Sequence, residues 1–369
     1  MAAKIGILTF HCAHNYGAVL QAYATQMLLA DAGYEAEVID YRPAYLVRPY
    51  RRFAFSRFIG KDLISTLRHM TSETLMVPLR ISRYSAFESF ISANLRLSER
   101  TVPGEMVQKY DVVLIGSDQV WNRKITGGSF DGMYFGESDI SKRYVADAVS
   151  MESDVLSAED ASYIKDHLGR FSAVSVRESH LATLLQEKCG CRAEHILDPV
   201  AQVRSQVWSE LARPSGQKKP YVLVYRLRDH ESIDTFVRKT ADRLGAEVIE
   251  VTPFPDGRKL FKARQAVAVE DFLGLIAGAS YVVTTSYHAM LFSVIFARPF
   301  TCFRFGDGRD TRQESLLKSV GLEDRMIPVG GMDVPADLSC DFTQAALRLD
   351  ALRKRSSDFI LNSLKESYE

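Results

Sequence analysis

The sequence is short of several things that would settle its class at once. No apolar run reaches the length a bilayer requires, and "MAAKIGILTF" at the start reads as a first β-strand rather than a signal peptide. A membrane span and a secretory route are therefore not expected. A cytoplasmic protein is, at most in contact with the inner face of the membrane. Charge of one sign is also lacking: Lys plus Arg and Asp plus Glu number 46 each, so no global field is available to hold nucleic acid. Cysteine is sparse. Five residues, an odd number, suit reduced thiols better than a disulfide framework. Cys189 and Cys191 stand one residue apart, but no second Cys or His pair completes a zinc knuckle, so ordinary thiols and no metal are expected. Internal repeats and low-complexity tracts are absent as well.

What is present is a globular composition, 46% hydrophobic and 25% charged. A chain of 369 residues is too long for one ordinary core, which points to two domains with a cleft between them. Apolar runs "IGILTF", "AEVID", "DVVLIG", "RYVADAVS" and "AVSVR" alternate with helical patterns. In the first of these, about Tyr16 to Ala32, Val19, Tyr23, Met27 and Ala30 recur three or four apart until Gly33. The rhythm restarts at "YVLVY". A helix near Ser232 to Leu244, "AEVIEV", a helix near Val269 to Ala277, "YVVTT", a helix from Ala289 to Ala297 and "PFTCF" follow. Such alternation predicts an α/β protein of two Rossmann-type, doubly wound domains facing a cleft. Their expected bounds are 1–198, carrying a basic and aromatic helical insertion at about 42–105, and 199–342. A terminal helix over 343–369 is expected to pack back on the first domain. The joint falls at "ILDPVAQV", where Asp198 and Pro199 break the pattern before the polar "RPSGQKKP".

In open α/β sheets ligands bind beyond the carboxyl ends of the strands, and four loops qualify. "TFHCAHNYGAVLQAY" offers His11, His14, Asn15 and Tyr16, with Gly17 admitting close backbone approach at a helix start; a plain tight turn is the competing reading. "IGSDQVWN" places Asp118 and Asn122 to accept from sugar hydroxyls and Trp121 to stack on a sugar face, unless Trp121 belongs to the core. "SVRES" sets Arg177 at a strand end, suited either to a carboxylate or phosphate or to a structural ion pair. "TTSYHAMLFSVIFARPF" ends a strand at Thr284, offers Thr285 and Ser286 as caps, and puts His288 in the first turn of a helix apolar on every side. Such a helix must be buried, and its first turn rigidly held.

Between Arg42 and Arg83 the basic residues Arg42, Arg48, Arg51, Arg52, Arg57, Lys61, Arg68, Arg80 and Arg83 face only Asp62 and Glu73, with aromatics interleaved in "RPYRRFAFSRF". A solvated helical face and a surface for an anionic partner, a phosphate-bearing lipid carrier or membrane headgroups, both fit this pattern.

Seven blocks, "GILTFHCAHNYGAVLQAYATQ", "IDYRP", "VLIGSDQVWN", "SVRES", "LDPV", "TTSYHAMLFSVIFARPF" and "RQESLLKSVGLEDR", resemble in order those of the polysaccharide pyruvyl transferase family, across most of the chain. The resemblance implies a GT-B-like architecture. It also implies transfer of a pyruvyl group from phosphoenolpyruvate, as donor substrate and without cofactor, to two hydroxyls of a sugar, as in capsule and exopolysaccharide synthesis. His288, as acid/base or as phosphate holder, and Asp118, as base, would carry the chemistry. Ser286, Tyr287, His288, Arg177, Arg226 and Arg228 would bind the donor; some family members have arginine where Ser286 stands. His14, Asn15, Tyr16, Gly17, Trp121 and Asn122 would face the acceptor, a sugar that a lipid-linked oligosaccharide would present. Asp198 is expected to fix the hinge. A GT-B glycosyltransferase using a nucleotide sugar and a noncatalytic saccharide-binding scaffold are the competing readings.

Overall fold

The computed structural model describes residues 3–50, 63–101, 108–151, 155–254, 263–331, 334–335 and 337–365, with 63–75 described by backbone alone. Two wholly parallel sheets form the frame. The first has seven strands, β1 (Lys4–Leu8), β2 (Glu35–Tyr41), β3 (Leu97–Thr101), β4 (Val112–Gly116), β5 (Tyr144–Val149), β6 (Phe171–Val176) and β7 (Glu194–His195), in the order β3-β2-β1-β4-β5-β6-β7. The second has five, β8 (Tyr221–Tyr225), β9 (Glu247–Val251), β10 (Tyr281–Thr284), β11 (Phe300–Arg304) and β12 (Met326–Pro328), in the order β12-β11-β10-β8-β9. Central strands such as "VVLIG" and "YVLVY" are buried along their whole length, because helices cover both faces of a parallel sheet.

Strand order locates the site before any side chain is considered. It reverses between β1 and β4 in the first sheet and between β8 and β10 in the second. At such a reversal the loops leave for opposite faces and open a crevice at the strands' carboxyl ends.

One hydrophobic cluster runs through both halves. The Tyr16–Asp31 helix is buried on nearly every side, and Tyr16 stacks on Phe272 of the second half at 4.0 Å and 7° between rings, while its hydroxyl donates to Val267 O at 2.8 Å. Such a ring pair adds about 0.5–1.5 kcal/mol beyond the area it buries. The Thr343–Lys365 helix ties both ends together. Ala345 and Leu349 join the core that contains Phe292, whereas Ile360 and Leu364 join the one that contains Ile5 and Ile7. Arg143 of the first half donates to Leu364 O at 3.2 Å and to Ser363 O, satisfying carbonyls left open at the helix end.

The loop after β4 runs through turns to a short 3-10 helix at Gly132–Phe135. Much of the basic stretch, Arg51, Arg52, Arg57 and Lys61, lies outside the described residues, as does most of "RPYRRFAFSRF", and for Arg68 the backbone helix Leu63–Asn94 alone is described. Two described arginines of the stretch turn inward. Arg83 is buried and donates to His14 O and Tyr16 Oη, and Arg42 pairs with Asp40 and Glu88. Among the described residues, no helix is long and apolar enough to cross a membrane.

Candidate functional site

Thr284 closes β10 by donating to Tyr225 O of β8 at 2.6 Å and accepting from Ser286 N at 2.9 Å. Ser286 then caps the Tyr287–Ile295 helix, its Oγ accepting from Ala289 N. All nine residues of that helix are buried, so its first turn has no freedom, and His288 is fixed there with 8% exposure. Opposite stands the start of the Tyr16–Asp31 helix, capped by Asn15, whose Oδ1 accepts from Gly17 N at 2.9 Å and Ala18 N at 3.4 Å. A Cβ on Gly17 would fall 2.0 Å from His288 Nδ1. Gly17 is thus required by contact across the cleft. Two helix N-termini, one from each sheet, converge on the imidazole, and both dipoles favour negative charge between them.

Beneath His288 runs a buried chain of charges. Its Nε2 lies 3.5 Å from Asp198 Oδ2, an ion-pair distance longer than a good hydrogen bond. Asp198 caps the Pro199–Gln202 turn through Val200 N at 2.9 Å and accepts from Arg177 Nη1 at 2.6 Å. Arg177 Nη2 reaches Asp118 Oδ1 at 3.4 Å, and the Arg177 guanidinium lies 5.2 Å from the Tyr287 ring centre. Burial alone would raise the Asp198 pKa, but attraction to His288 and then to Arg177 prevails and holds it at about 2. Burial works against the Arg177 charge too, yet Asp198 and Asp118 keep its pKa above the usual value. Burial pushes the Tyr287 phenol far up, so it stays neutral.

The cleft between these walls has a volume of about 270 Å³. Asn15, Asp118 and Gln119 line the first-half wall, and Thr285, Ser286, Tyr287, His288, Arg228, Arg309, Arg312 and Gln313 the second. Arg228 is held by Asp307 at 2.7 Å and Asp310 at 3.2 Å, and Arg309 by Asp307 at 2.6 Å. The Arg312 guanidinium lies 5.7 Å from the Tyr287 ring centre.

Of the residues singled out from sequence, Asn15, Asp118, Ser286, Tyr287, His288 and Arg228 meet in this cleft, with Gly17 packed against His288. The others require correction. Trp121 is fully buried, donates from Nε1 to Tyr134 O at 2.9 Å and stacks on Phe135, so it cannot reach a sugar. Asn122 spends its side chain on its own turn, bonding Gln119 Oε1 and Lys124 N. His14 pairs with Glu88 at 2.8 Å inside a cage of Tyr50, Tyr84 and Phe87, and Tyr16 is consumed by the contact between halves. Arg226 is held by Asp229, Asp234 and Glu250 away from the cleft. Arg177 has no exposed side-chain surface and underlies the cleft rather than lining it.

Arg309, Arg312, Gln119 and Gln313 were not anticipated, and Thr285, read from sequence only as a cap, also lines the cleft. The first two had a signal: "FGDGRDTRQES" follows β11 directly, with glycines at positive φ (Gly306 at 72°, Gly308 at 75°) that turn arginines back over the strand ends. Among the described residues no group of three or more His, Cys, Asp or Glu could hold a metal ion.

The profile of the polysaccharide pyruvyl transferase family matches residues 15–306. No curated protein matches the chain. Among solved structures, the chain is similar over all of both chains to the UDP-GlcNAc 2-epimerase from Neisseria meningitidis bound to UDP-GlcNAc, at 11% identity and a TM-score of 0.50. A glycosyltransferase from Streptomyces nogalater is similar at 11% identity and a TM-score of 0.45, over 99% of this chain and 98% of that one. The UDP-GlcNAc 2-epimerase from Methanocaldococcus jannaschii, in complex with UDP-GlcNAc and UDP, is similar at 13% identity and a TM-score of 0.44, over all of both chains. The first likeness shows the fold, a GT-B-like pair of Rossmann-type sheets.

Proposed function

The chain belongs to the polysaccharide pyruvyl transferase family, and from that premise we propose that it transfers pyruvyl from phosphoenolpyruvate to two hydroxyls of one sugar, forming a cyclic ketal and releasing phosphate. One observation carries the reading: His288 faces a cleft between two helix N-termini, on a wall that also bears Arg228, Arg309 and Arg312. Phosphoenolpyruvate presents a phosphate and a carboxylate a few bonds apart, and their desolvation must be offset by guanidinium groups and free N–H donors.

The reaction needs three proton transfers, one to the donor's methylene carbon and one from each sugar hydroxyl. A proton is added to the methylene carbon, making it a methyl and leaving the adjacent carbon cation-like. One sugar hydroxyl adds there and loses its proton. The second hydroxyl then attacks the same carbon, the bond to phosphate oxygen breaks, and phosphate leaves with the second hydroxyl's proton in balance. His288 is placed to give a proton at the donor. Asp118, on the opposite wall, is the base for the attacking hydroxyl, with Asn15 and Gln119 to orient the sugar. Arg177 holds Asp118 and Asp198 from below and acts through them.

The test is direct. Purified protein with phosphoenolpyruvate and a panel of sugars, free and lipid-linked, is expected to release phosphate and yield a product with a ketal methyl resonance. The His288→Ala variant, folded as judged by its melting temperature, is expected to release almost none. Turnover with a nucleotide sugar and none with phosphoenolpyruvate would overturn the proposal.

A further inference from the structure

A second pocket, of about 230 Å³, lies on the other side of the first sheet, between the Tyr16–Asp31 and Thr343–Lys365 helices. Its walls are chiefly apolar, with Leu28, Leu29, Leu114, Ile360 and Leu361. The floor is not. Asp147 of β5 is 1% exposed, and among the described residues neither of its carboxylate oxygens has a hydrogen-bond partner. Beside it Gln202 donates through Nε2 to Leu197 O at 2.7 Å, which fixes the amide orientation and leaves a buried Oε1 equally unpartnered. At the mouth stands the exposed Asp31. Among the described residues the lining holds two carboxylates and an amide oxygen but no Lys, Arg or His.

Three buried acceptor atoms without donors are costly if nothing reaches them. Water could satisfy them only by keeping the leucine walls wet, and those walls gain by shedding water. The complement of this pocket is a molecule that carries donors only, on an apolar body. We propose that the pocket is a binding site for a small hydrophobic amine, its ammonium group meeting Asp147 and the Gln202 amide oxygen while its ring or alkyl chain lies along Leu28, Leu361 and Ile360. Capacity is sufficient, since an apolar cavity of about 150 Å³ already takes benzene.

The site sits directly behind the chemistry. Asp198, which pairs with Arg177 and His288, is the charged group that acts on Asp147 from within the protein. Asp31 faces it across the pocket, while β4 and the Thr343–Lys365 helix supply only Leu114, Ser357, Ile360 and Leu361, none ionisable. Burial first, and the Asp198 charge second, raise the Asp147 pKa to about 7. Amine binding requires the ionised carboxylate, so affinity must fall where Asp147 is protonated.

Benzylamine and its neutral counterpart benzyl alcohol, titrated calorimetrically into the full chain at pH 6 and pH 8, test the proposal. Benzylamine is expected to bind at one site, about tenfold tighter at pH 8 than at pH 6, as the ionised fraction of Asp147 dictates. Benzyl alcohol should bind more weakly and without pH dependence. Asp147→Asn should remove both the preference for the amine and its pH dependence, and Leu361→Trp, which fills the pocket from the terminal helix and leaves Asp147 untouched, should abolish binding. Absence of saturable benzylamine binding, equal affinity in Asp147→Asn, or undiminished binding in Leu361→Trp would each overturn it.

Discussion

His288 Nε2 and Asp198 Oδ2 stand 3.5 Å apart, the imidazole facing the cleft and the carboxylate wholly buried behind it. The pair joins elements far apart in sequence: one residue opens the Tyr287–Ile295 helix, the other caps the Pro199–Gln202 turn between the sheets. Asp198 also accepts from Arg177, which reaches Asp118 on the opposite wall. Both walls of the cleft are therefore referenced to one buried carboxylate.

Asp198→Asn should accordingly lose activity and stability together. It leaves Arg177 buried with one partner fewer, a change that costs about 3–5 kcal/mol when a buried pair is broken, and it removes the carboxylate that stands 3.5 Å behind His288. The melting temperature and the turnover should both fall. In the unaltered protein Asp198, held at about 2, contributes stability that is present above the unfolded carboxylate range near 4 and lost as pH falls through 2. Thermal melts between pH 5 and pH 2 of both proteins measure this, and an unchanged slope in Asp198→Asn would contradict it.

Gly17→Ala is expected to injure activity more than stability. The added methyl would fall 2.0 Å from His288 Nδ1, and relief must come from moving the imidazole or parting the helix starts. Gly17 lies early in a helix, where alanine is otherwise the better residue by up to about 1 kcal/mol. Turnover should drop by tenfold or more with little change in melting temperature. A variant of normal activity would show that His288 has room to move.

The fold was legible where structure is local. "YVLVY" is β8 residue for residue, and the helix at Val269–Ala277 has the bounds its periodicity predicts. The missed strands β3, β7 and β12 are sheet edges or nearly so, short and partly polar, as in "LSERT" and the two-residue Glu194–His195; an edge strand pairs on one side and need not be apolar. Site residues divide in the same way. His288 and Asn15 were visible because a cap and a first helical turn are set by neighbours in sequence. Trp121 and Arg177 were misplaced because their orientation depends on packing from distant segments. Arg177 ends β6, two strands from the reversal at β1 and β4, where no crevice opens.

Arg312 tests the donor side of the cleft. It lines the same wall as His288, and its guanidinium approaches the Tyr287 ring at 5.7 Å. Under the proposed reaction, Arg312→Lys keeps the charge but loses the planar fork that matches a carboxylate or phosphate. The Michaelis constant for phosphoenolpyruvate should rise roughly tenfold, as expected for loss of about 1.4 kcal/mol of binding, while that for the sugar stays near its original value. An equal rise for both substrates would place Arg312 in general support of the cleft.

Asp147 offers a prediction whose sign is opposite to the usual one for a carboxylate. Its pKa rises on folding from the ordinary carboxylate range to about 7, because burial disfavours the charge and Asp198 repels it. Between about pH 4 and pH 7 the folded protein thus holds a proton that the unfolded chain has released, and stability must decline as pH rises through that window, by up to about 4 kcal/mol. Above pH 7 the full cost is incurred and the contribution levels off. Asp147→Asn removes the ionisation and should melt higher than the parent at pH 8, with the advantage shrinking toward pH 4.5. Asp147→Leu makes the same comparison without a polar group, so agreement of the two variants would assign the effect to charge rather than to hydrogen bonding. Parallel melting curves for parent and variants across this range would mean that Asp147 titrates normally and that its burial is compensated.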